Sequence, residues 1–390
     1  MGRIPMTERI YYNDSYQRAF EAKVIGTEDG GRRIYLDRTA FYPASGGQPS
    51  DSGTLNGVRV VEVVDEEERI AHVVESPLES EGVAGAIDWE RRFDHMQQHS
   101  GQHVLSAAFE ELHGMKTVSF HLGAECSTID LETGALTREQ ARAVEDRANE
   151  LALECRVVGV QYEDAATVGG LRKATEREGT LRIVTIDGLD RSACGGTHVR
   201  TTGEIGPTLI RKLDKIRGNV RVEFLCGRRA MRRSRADYEA LSAAARRLGA
   251  GLDEVPQLVE ALQEQAKESE KARRKLAVEL ALRRGAELFA AADEDAQGMR
   301  RHVERAAEGL NDELRALAQG FTGTGRGVFI GVCDNPPSLL YAASAASGIH
   351  AGNRLKEALA AQGGRGGGNA QLAQGSLPSV EALNALLAAL

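Results

Sequence analysis

Two short motifs, far apart in the chain, carry residues of the types that bind metal ions. They are His99-Ser-Gly-Gln-His103 and Cys194-Gly-Gly-Thr-His198, each with three residues between its two ligands. Three imidazoles and one thiol make a full tetrahedral set for zinc. The first motif lies in an apolar-periodic run that predicts a helix, on which residues four apart share one face. Two glycines interrupt the second motif, which indicates a tight loop after a strand over residues 181–186.

The histidine repeat leaves the register of the first pair open. His95, His99 and His103 follow one another at intervals of four, so His95 with His99 serves equally well on helix geometry. Either motif alone is a weak signal for a metal. Both in one chain favour a metal site, which the fold must then assemble from two distant segments.

The residue after the first histidine narrows the chemistry. A zinc protease of the H-E-x-x-H type needs a glutamate there as general base. This chain has Ser100, or Met96 in the alternative register. A labile ester is a more suitable target than an amide, because positioning and polarising a water is enough to hydrolyse it.

The elements that must position these motifs predict an α+β multidomain fold. Residues 1–90 alternate short β-rich runs with turns such as Asn56-Gly57, which predicts a small β-barrel domain. Residues 91–230 mix helix and strand and hold both motifs. Residues 231–320 predict a helical or coiled-coil linker, either a free arm or helices packed on their own domain. Residues 321–390 predict a small α/β domain.

A glycine-rich segment at residues 363–368 lies in the last of these domains. It lacks the G-K-S/T ending of a P-loop and the context of a dinucleotide fingerprint, so an ATP site is not expected. A flexible loop and a contact to a polyanion through backbone N–H groups both fit the composition.

Composition describes a globular protein without a membrane span. Of 390 residues, 27% are charged and 42% hydrophobic, and no run of 18 apolar residues occurs. The first ten residues lack the apolar stretch of a secretory signal. The 5 cysteines are scattered singly and form no disulfide framework, which predicts a reducing, cytoplasmic location.

Positive charge is concentrated in one stretch of an acidic chain. The net charge is −8, yet residues 211–235 hold ten lysines and arginines against two acidic residues. Such a band is the expected footprint of a phosphate backbone. A solvated face beside acidic residues explains the same pattern equally well.

Three segments, in this order, resemble the editing region of alanyl-tRNA synthetases. They are Thr39-Ala-Phe-Tyr-Pro-Ala-Ser-Gly-Gly-Gln-Pro-Ser-Asp-Ser-Gly53 and the two motifs described above. The glycine-rich segment, which ends with Ala373-Gln374-Gly375, resembles the DHH-associated domain at the end of that synthetase. The chain is similar throughout to the free-standing editing proteins, AlaX, in the longer form that keeps this C-terminal domain.

The resemblance implies an aminoacyl-tRNA deacylase that acts on mischarged tRNA(Ala), chiefly Ser-tRNA(Ala), with Gly-tRNA(Ala) as a second substrate. It assigns Zn²⁺ as the cofactor and leaves His95 outside the ligand set. The implied ligands are His99, His103, Cys194 and His198. The β-rich region begins near residue 8, so an aminoacylation core has no room and tRNA charging is not expected.

Serine differs from alanine by one hydroxyl, so the pocket needs a polar group that pairs with it. Gln48, beside Gly46 and Gly47, is the first candidate, and Thr39 is the second. A plain barrel turn is the alternative for the two glycines. Ala44 departs from the family pattern, where a glutamate or another polar residue is common, and receives no role. No general base is assigned, and zinc either activates a water or only positions the substrate.

Contacts to the body of the tRNA are expected from exposed cations. The predicted tRNA-binding residues are Arg217, Arg221, Arg228, Arg354 and Arg365. A homodimer through the helical linker or the C-terminal domain is a further hypothesis. The competing interpretation is a non-catalytic RNA-binding protein with a structural zinc, because four protein ligands normally mark a structural site.

Overall fold

The computed structural model describes residues 6–307 and 309–390. It divides into two compact units, residues 1–243 and 244–390. The predicted α+β multidomain class is confirmed, whereas the finer division into four domains stays a prediction. None of the helices in the described ranges is long and apolar enough to cross a membrane.

A closed barrel forms the beginning of the first unit. The strands of this region are β1 (Glu8–Arg9), β2 (Ala19–Glu28), β3 (Arg33–Leu36), β4 (Arg38–Thr39), β5 (Gly53–Leu55), β6 (Val58–Glu66), β7 (Arg69–Val74) and β8 (Gly82–Ile87), of which β1 and β4 pair only with each other. Six of them close a ring in the order β2-β3-β7-β6-β5-β8, which agrees with the predicted small barrel. Asn56 and Gly57 both have positive φ and make the tight turn between β5 and β6. Alternate residues, such as Val83 and Ile87 on β8, fill the interior.

Two helices and two antiparallel sheets follow the barrel in the first unit, which ends within a third helix. The elements are α1 (Trp89–His113), β9 (Thr117–Leu122), β10 (Ser127–Leu131), α2 (Arg138–Leu153), β11 (Val158–Asp164), β12 (Thr180–Ile186), β13 (Asp190–Ala193), β14 (Thr208–Ile216) and β15 (Asn219–Cys226). The four-stranded sheet has the order β14-β15-β10-β9, and the three-stranded sheet the order β11-β12-β13. Leu105 and Phe109 of α1 pack with Val144 of α2 and Phe224 of β15 in one core.

Helix α1 is buried on every side over its central turns, although many of its residues there are polar. Buried polar groups must find hydrogen-bond partners, so they are informative about local structure. Gln98 exchanges two hydrogen bonds of 2.9 Å with the backbone of Cys226, and Gln97 donates to the Glu204 carbonyl. The polar face of α1 is therefore fixed to the surrounding strands and loops and can hold side chains at defined positions.

A buried ion pair fastens the barrel to α1. Arg92 and Asp51 are both fully buried, and the Arg92 Nε lies 3.1 Å from either carboxylate oxygen. Arg92 also donates to the carbonyls of Ser15 and Ala40. The guanidinium thus has a partner for each nitrogen, as a charge in a low-dielectric interior requires.

Loss of this ion pair is expected to destabilise the first unit strongly. Asp51→Ala leaves Arg92 buried without its counter-charge, which costs about 3–5 kcal/mol of the free energy of unfolding. Urea denaturation followed by the fluorescence of Trp89, the single tryptophan, measures the change. Glu8→Ala is the control because it breaks an exposed ion pair, with Arg38. Equal losses of stability in the two variants would contradict the conclusion that the buried ion pair fastens the barrel to α1.

The second unit contains a five-stranded sheet flanked by helices. After α3 (Gly227–Leu248), the remaining elements are α4 (Val255–Ala291), β16 (Arg300–Arg305), α5 (Asp312–Thr324), β17 (Gly327–Asp334), β18 (Pro337–Ala343), α6 (Ala351–Ala361), β19 (Arg365–Gly368), β20 (Leu372–Ser376) and α7 (Val380–Ala389). The sheet order is β16-β17-β18-β20-β19, and only β16 and β17 pair in parallel. Helices α4 and α5 approach so closely that a Cβ on Gly320 would lie 1.9 Å from the Leu282 carbonyl oxygen.

Two predictions for this region are wrong in part. The segment 231–320 is predicted to be helical, but residues 300–305 form the strand β16. Their charged composition does not predict a strand; they are held as one by parallel pairing with β17. The glycine-rich segment was expected to be a loop, but its residues 365–368 form the edge strand β19. Glycine is needed there, since a Cβ on Gly366 would lie 2.3 Å from the Gln374 carbonyl oxygen.

Candidate metal centre and adjoining cleft

The structure brings the four predicted ligands together. The ligand atoms of His99, His103, Cys194 and His198 lie within 4.8 Å of one another, and together they could hold a metal ion. The Cys194 Sγ is 3.3 Å from the Nε2 atoms of both His99 and His198. Tetrahedral zinc with ordinary Zn–S and Zn–N bonds separates sulfur from nitrogen by about 3.5 Å. The spacing of these donors therefore fits a bound metal ion.

Local structure explains why these residues meet. His99 and His103 lie one turn apart on α1, with ring centroids separated by 5.5 Å. Cys194 directly follows β13, and the loop then returns His198 to the same point. A Cβ on Gly196 would lie 2.2 Å from the His99 ring. The second motif therefore needs glycine at this position to let the loop approach α1.

All three ligand rings have a partner for the nitrogen that faces away from the cluster. The Nδ1 atoms of His99, His103 and His198 lie 2.8, 2.7 and 3.1 Å from Gln48 Oε1, Asp190 Oδ2 and Ser100 Oγ. Such partners fix the ring orientation and the tautomer of metal-ligating histidines. Each Nε2 is then free to face the other donors.

His95 lies outside the cluster, as the family resemblance implied. It is buried, and its Nδ1 has no hydrogen-bond partner among the described residues. Burial, reinforced by the charge of Arg91, lowers the pKa of His95 to about 3. It therefore stays neutral and takes no part in the set of four ligands that the structure brings together.

Two groups at the cluster, the Cys194 thiol and the Asp190 carboxyl behind His103, have charge states that suit a metal ion. Burial acts to raise the pKa of the Cys194 thiol, but the imidazoles of His99 and His198 outweigh it and hold that pKa well below its usual range. Burial likewise acts to raise the pKa of Asp190, which His103 and Arg172 lower to about 2. A thiolate and a carboxylate-supported imidazole are the forms that bind metals.

Gln48 has a different position from the one predicted. Its amide is buried, with Oε1 against His99 and against the backbone N–H of Thr197 at 3.2 Å, while its Nε2 donates to the Thr197 hydroxyl at 2.9 Å. Gln48 is not among the described residues that line the cleft, and it contacts a ligand ring from behind; its predicted contact with the amino acid stays a prediction. The sequence could not show this, because the contact depends on how the barrel packs against α1.

The other predicted substrate residues are divided between two locations. Gly46 lines the cleft beside the cluster. Gly47 has a φ of 83°, and a Cβ on it would lie 2.6 Å from the Phe120 carbonyl oxygen, so it allows a close approach. Thr39 instead lies inside the barrel, where its hydroxyl meets His72 Nε2 at 2.8 Å. It is absent from the described lining of the cleft.

Removal of the Gln48 side-chain amide is expected to weaken metal binding. Gln48→Leu leaves His99 Nδ1 without its partner, and substitutions of such supporting groups typically cost about 10–100-fold in metal affinity. Competition with a chromophoric chelator at fixed pH measures the effect. Thr39→Val, which disturbs a hydrogen bond in the barrel, serves as the control and should leave the affinity unchanged. An unaltered affinity in Gln48→Leu would contradict the supporting role.

A cleft of about 590 Å³ opens beside the cluster, and three of the ligands line it: His99, His103 and Cys194. Two polar side chains that sequence reasoning missed, Gln102 and Thr117, line the same cleft. Both bond the Ser106 hydroxyl, at 2.8 and 2.7 Å. Gln102 could have been found from the sequence, because it directly precedes the ligand His103 on a helix. Nothing in the sequence indicated that Thr117 lies near it.

The basic stretch at residues 211–235 is largely neutralised by acidic partners. Its ion pairs are Arg211 and Arg233 with Asp237, Lys212 with Asp214, Arg221 with Asp130, Arg228 and Arg232 with Glu90, and Arg229 with Asp94. The stretch is therefore a solvated, paired face over most of its length, which was the alternative to a phosphate footprint.

The predicted tRNA-binding cations differ in whether a partner already occupies their side chains. Arg221 makes two hydrogen bonds to Asp130, at 2.7 and 2.9 Å, and Arg228 pairs with Glu90. Arg217 is exposed in the turn between β14 and β15. In the second unit, Arg354 donates to a backbone carbonyl of α7, and Arg365 is exposed on β19. Arg217 and Arg365 remain the freest of the predicted contacts.

A family model supports the general class of protein that this fold and donor set indicate. Residues 181–223 match the threonyl and alanyl tRNA synthetase second additional domain. The matched segment includes both ligands of the second motif. The chain thus contains a domain of the class found in tRNA synthetases that act on threonine and alanine.

Curated relatives define the family within that class. The chain is 34% identical over 279 residues to the mouse alanyl-tRNA editing protein Aarsd1, covering 65% of this chain and 67% of that protein. It is 34% identical over 241 residues to the AlaX-L editing protein of Pyrococcus horikoshii, covering 58% and 59%. It is 32% identical over 401 residues to an alanine–tRNA ligase of Korarchaeum cryptofilum, covering 97% of this chain and 44% of the ligase.

The chain belongs to the family of alanyl-tRNA editing proteins, as the resemblance of its motifs indicated. This is a family of aminoacyl-tRNA deacylases. The chain spans about two thirds of the mouse relative and less of the other two relatives.

Proposed function

We propose that this protein hydrolyses the ester of mischarged tRNA(Ala), chiefly Ser-tRNA(Ala), with Gly-tRNA(Ala) second. The observation that carries the proposal is a four-ligand cluster at the wall of a cleft with polar lining, in a chain of the editing family. A non-catalytic protein with a structural zinc is less well supported, because three ligands line an open cleft. Hydrolysis of Ser-, Gly- and Ala-tRNA(Ala) compared side by side tests the proposal.

Zinc is the proposed ion, since a set of one thiolate and three imidazoles suits it. When bound, it would supply a Lewis acid beside the ester. Residues of the chain itself hold the metal ligands and orient the substrate. Gln48, Ser100 and Asp190 hold the ligand rings, and the cleft walls orient the aminoacyl group.

Serine selectivity is proposed to rest on Thr117 and Gln102 rather than on Gln48. The two side chains lie on the lining of the cleft and share the Ser106 hydroxyl, so they form a polar wall beside the ligands. A serine hydroxyl pairs with this wall. An alanine methyl group forms no hydrogen bond with this wall, so correctly charged tRNA is bound less tightly and is spared.

Thr117→Val keeps the side-chain shape and removes the hydroxyl. We expect the ratio of kcat/KM for Ser-tRNA(Ala) over Ala-tRNA(Ala) to fall about five- to a hundredfold, because one unpaired buried polar group costs about 1–3 kcal/mol. Thr180→Val, at the exposed start of β12, is the matched control. A ratio that stays at the wild-type value would remove Thr117 from the proposal.

The second unit is proposed as a DHH-associated-type module that grips tRNA away from its acceptor end. The exposed Arg365 on β19 and Arg354 on α6 support this contact, and Arg217 is proposed to assist from the first unit. Leu276 and Leu280 of α4 are 64% and 68% exposed, which supports a homodimer contact along that helix. A cytoplasmic location is part of the same proposal.

A further inference from the structure

One wall of the cleft beside the metal cluster is a segment without regular secondary structure between β11 and β12. Its residues 172–177 line the cleft and carry three cations, Arg172, Lys173 and Arg177. Glu176 is the only acidic residue on the lining within the described ranges. The lining of the cleft therefore carries more positive than negative side chains, although the chain as a whole has a net charge of −8.

Arg172 anchors this segment to the metal-binding strand. Its Nε donates to Asp190 Oδ1 at 2.7 Å, and its backbone N–H donates to the Arg191 carbonyl at 2.9 Å. The segment is closed at its base by a hydrogen bond of 2.8 Å from the Ala165 N–H to the Gly179 carbonyl. Because Asp190 also holds His103, the position of the segment is tied to that of a ligand.

Lys173 and Arg177 differ from most cations of the basic stretch at residues 211–235. Both are exposed, and neither forms an ion pair within the part of the chain that the structure describes. The Lys173 ammonium only donates to the Val118 carbonyl, at 3.3 Å. A cation without a carboxylate partner can neutralise an incoming phosphate without first breaking an ion pair.

The lining of the cleft also includes an aromatic ring. Phe120 lines the cleft and packs against the His99 ring at a centroid distance of 5.0 Å. Aromatic rings next to cations are the usual combination for single-stranded nucleic acid, in which bases stack and phosphates pair. A cleft lined by possible metal ligands, an aromatic ring and cations without carboxylate partners suits a nucleotide that carries an ester.

We infer that Lys173 and Arg177 bind the phosphodiester groups at the 3′ end of the RNA substrate, with the terminal base against Phe120. The inference rests on the proposed function and specifies how its substrate enters. The ester joins the amino acid to the terminal ribose, so an ester placed beside the four ligands would leave the preceding phosphates at the rim of the cleft. Lys173 and Arg177 bind and position the RNA and take no part in the chemical step.

The test is the double substitution Lys173→Ala with Arg177→Ala. We expect KM for Ser-tRNA(Ala) to rise about tenfold while kcat changes less than twofold. The slope of the logarithm of affinity against the logarithm of salt concentration should fall by about 1.4, as for two contacts to a single strand. The charge-preserving pair Lys173→Arg with Arg177→Lys should restore all three values. Unchanged KM and salt slope in the alanine variant would overturn the inference.

A binding measurement keeps the outcome separate from that of the proposed function. Fluorescence anisotropy with a single-stranded RNA that ends in CCA and carries no amino acid should give about tenfold weaker binding for the alanine variant. If the wild type binds this RNA through the two cations but hydrolyses no aminoacyl-tRNA, the proposed RNA contact is supported and the proposed function fails. If the wild type and the alanine variant bind the RNA equally, the proposed contact is wrong whatever the hydrolytic activity.

Discussion

Replacement of His103 by alanine is expected to abolish metal retention and to lower the rate of Ser-tRNA(Ala) hydrolysis about a thousandfold or more. His103 is buried, lies on the wall of the cleft and is held by Asp190, so it has no substitute within the cluster. Loss of a Lewis acid removes several kcal/mol of transition-state stabilisation. Each 1.36 kcal/mol corresponds to a factor of ten in rate.

The matched control is His95, which lies two turns earlier on the same helix. His95→Asn should keep both the metal and the activity, because His95 is not among the four assembled ligands. Metal content by atomic emission and single-turnover rates should be measured on the same preparations. Circular dichroism then verifies that both variants are folded. A His103→Ala protein that keeps stoichiometric metal and wild-type activity would contradict the ligand assignment.

Removal of the metal from the wild-type protein is expected to have the second large effect. Dialysis against a strong chelator should lower hydrolysis of Ser-tRNA(Ala) at least about a hundredfold, and added zinc should restore it. The first unit should stay folded, because helix α1 and its flanking sheets have a core of their own around Leu105 and Phe109. Its unfolding midpoint should fall, since an ion that binds only the folded state stabilises that state.

This experiment separates the catalytic from the structural interpretation of the site. A zinc that only holds the fold together predicts that the metal-free protein unfolds. A zinc that serves the reaction predicts a folded, inactive protein that recovers with the metal. Full activity in a folded protein without metal would contradict both a catalytic and a substrate-positioning role for the ion.

The ligand set was accessible from the sequence because it depends on residue types at short spacing. His99 and His103 at four residues on a helix, and Cys194 and His198 around two glycines, identify themselves as two half-sites. The choice against His95 needed family resemblance, since helix geometry alone allows either pair. The cluster in the structure agrees with the resemblance.

The environment of the ligands could not be predicted in the same way. Gln48 was expected in the pocket, but it supports His99 from behind, because the approach of the barrel to α1 decides which atoms it reaches. Thr117 was missed for the same reason, since it comes from a different strand than either motif. Contacts between distant segments depend on packing rather than on local pattern.

Charge shows the same limit. The count of cations at residues 211–235 was correct, but the partners that neutralise them lie elsewhere in the chain, as with Arg221 and Asp130 or Arg229 and Asp94. Conversely, no pattern in the sequence distinguishes Lys173 and Arg177 from other cations of the chain. They matter because their segment lies on the wall of the metal-side cleft.

The most direct test of the central claim is the single-turnover hydrolysis of Ser-tRNA(Ala), Gly-tRNA(Ala) and Ala-tRNA(Ala) by the zinc-loaded full chain. We expect Ser-tRNA(Ala) to be hydrolysed at least about a hundredfold faster than Ala-tRNA(Ala), with Gly-tRNA(Ala) between them. The His103→Ala protein should leave all three intact. A zinc-loaded wild-type protein that binds tRNA but hydrolyses none of the three would contradict the claim and establish an RNA-binding protein with a structural zinc.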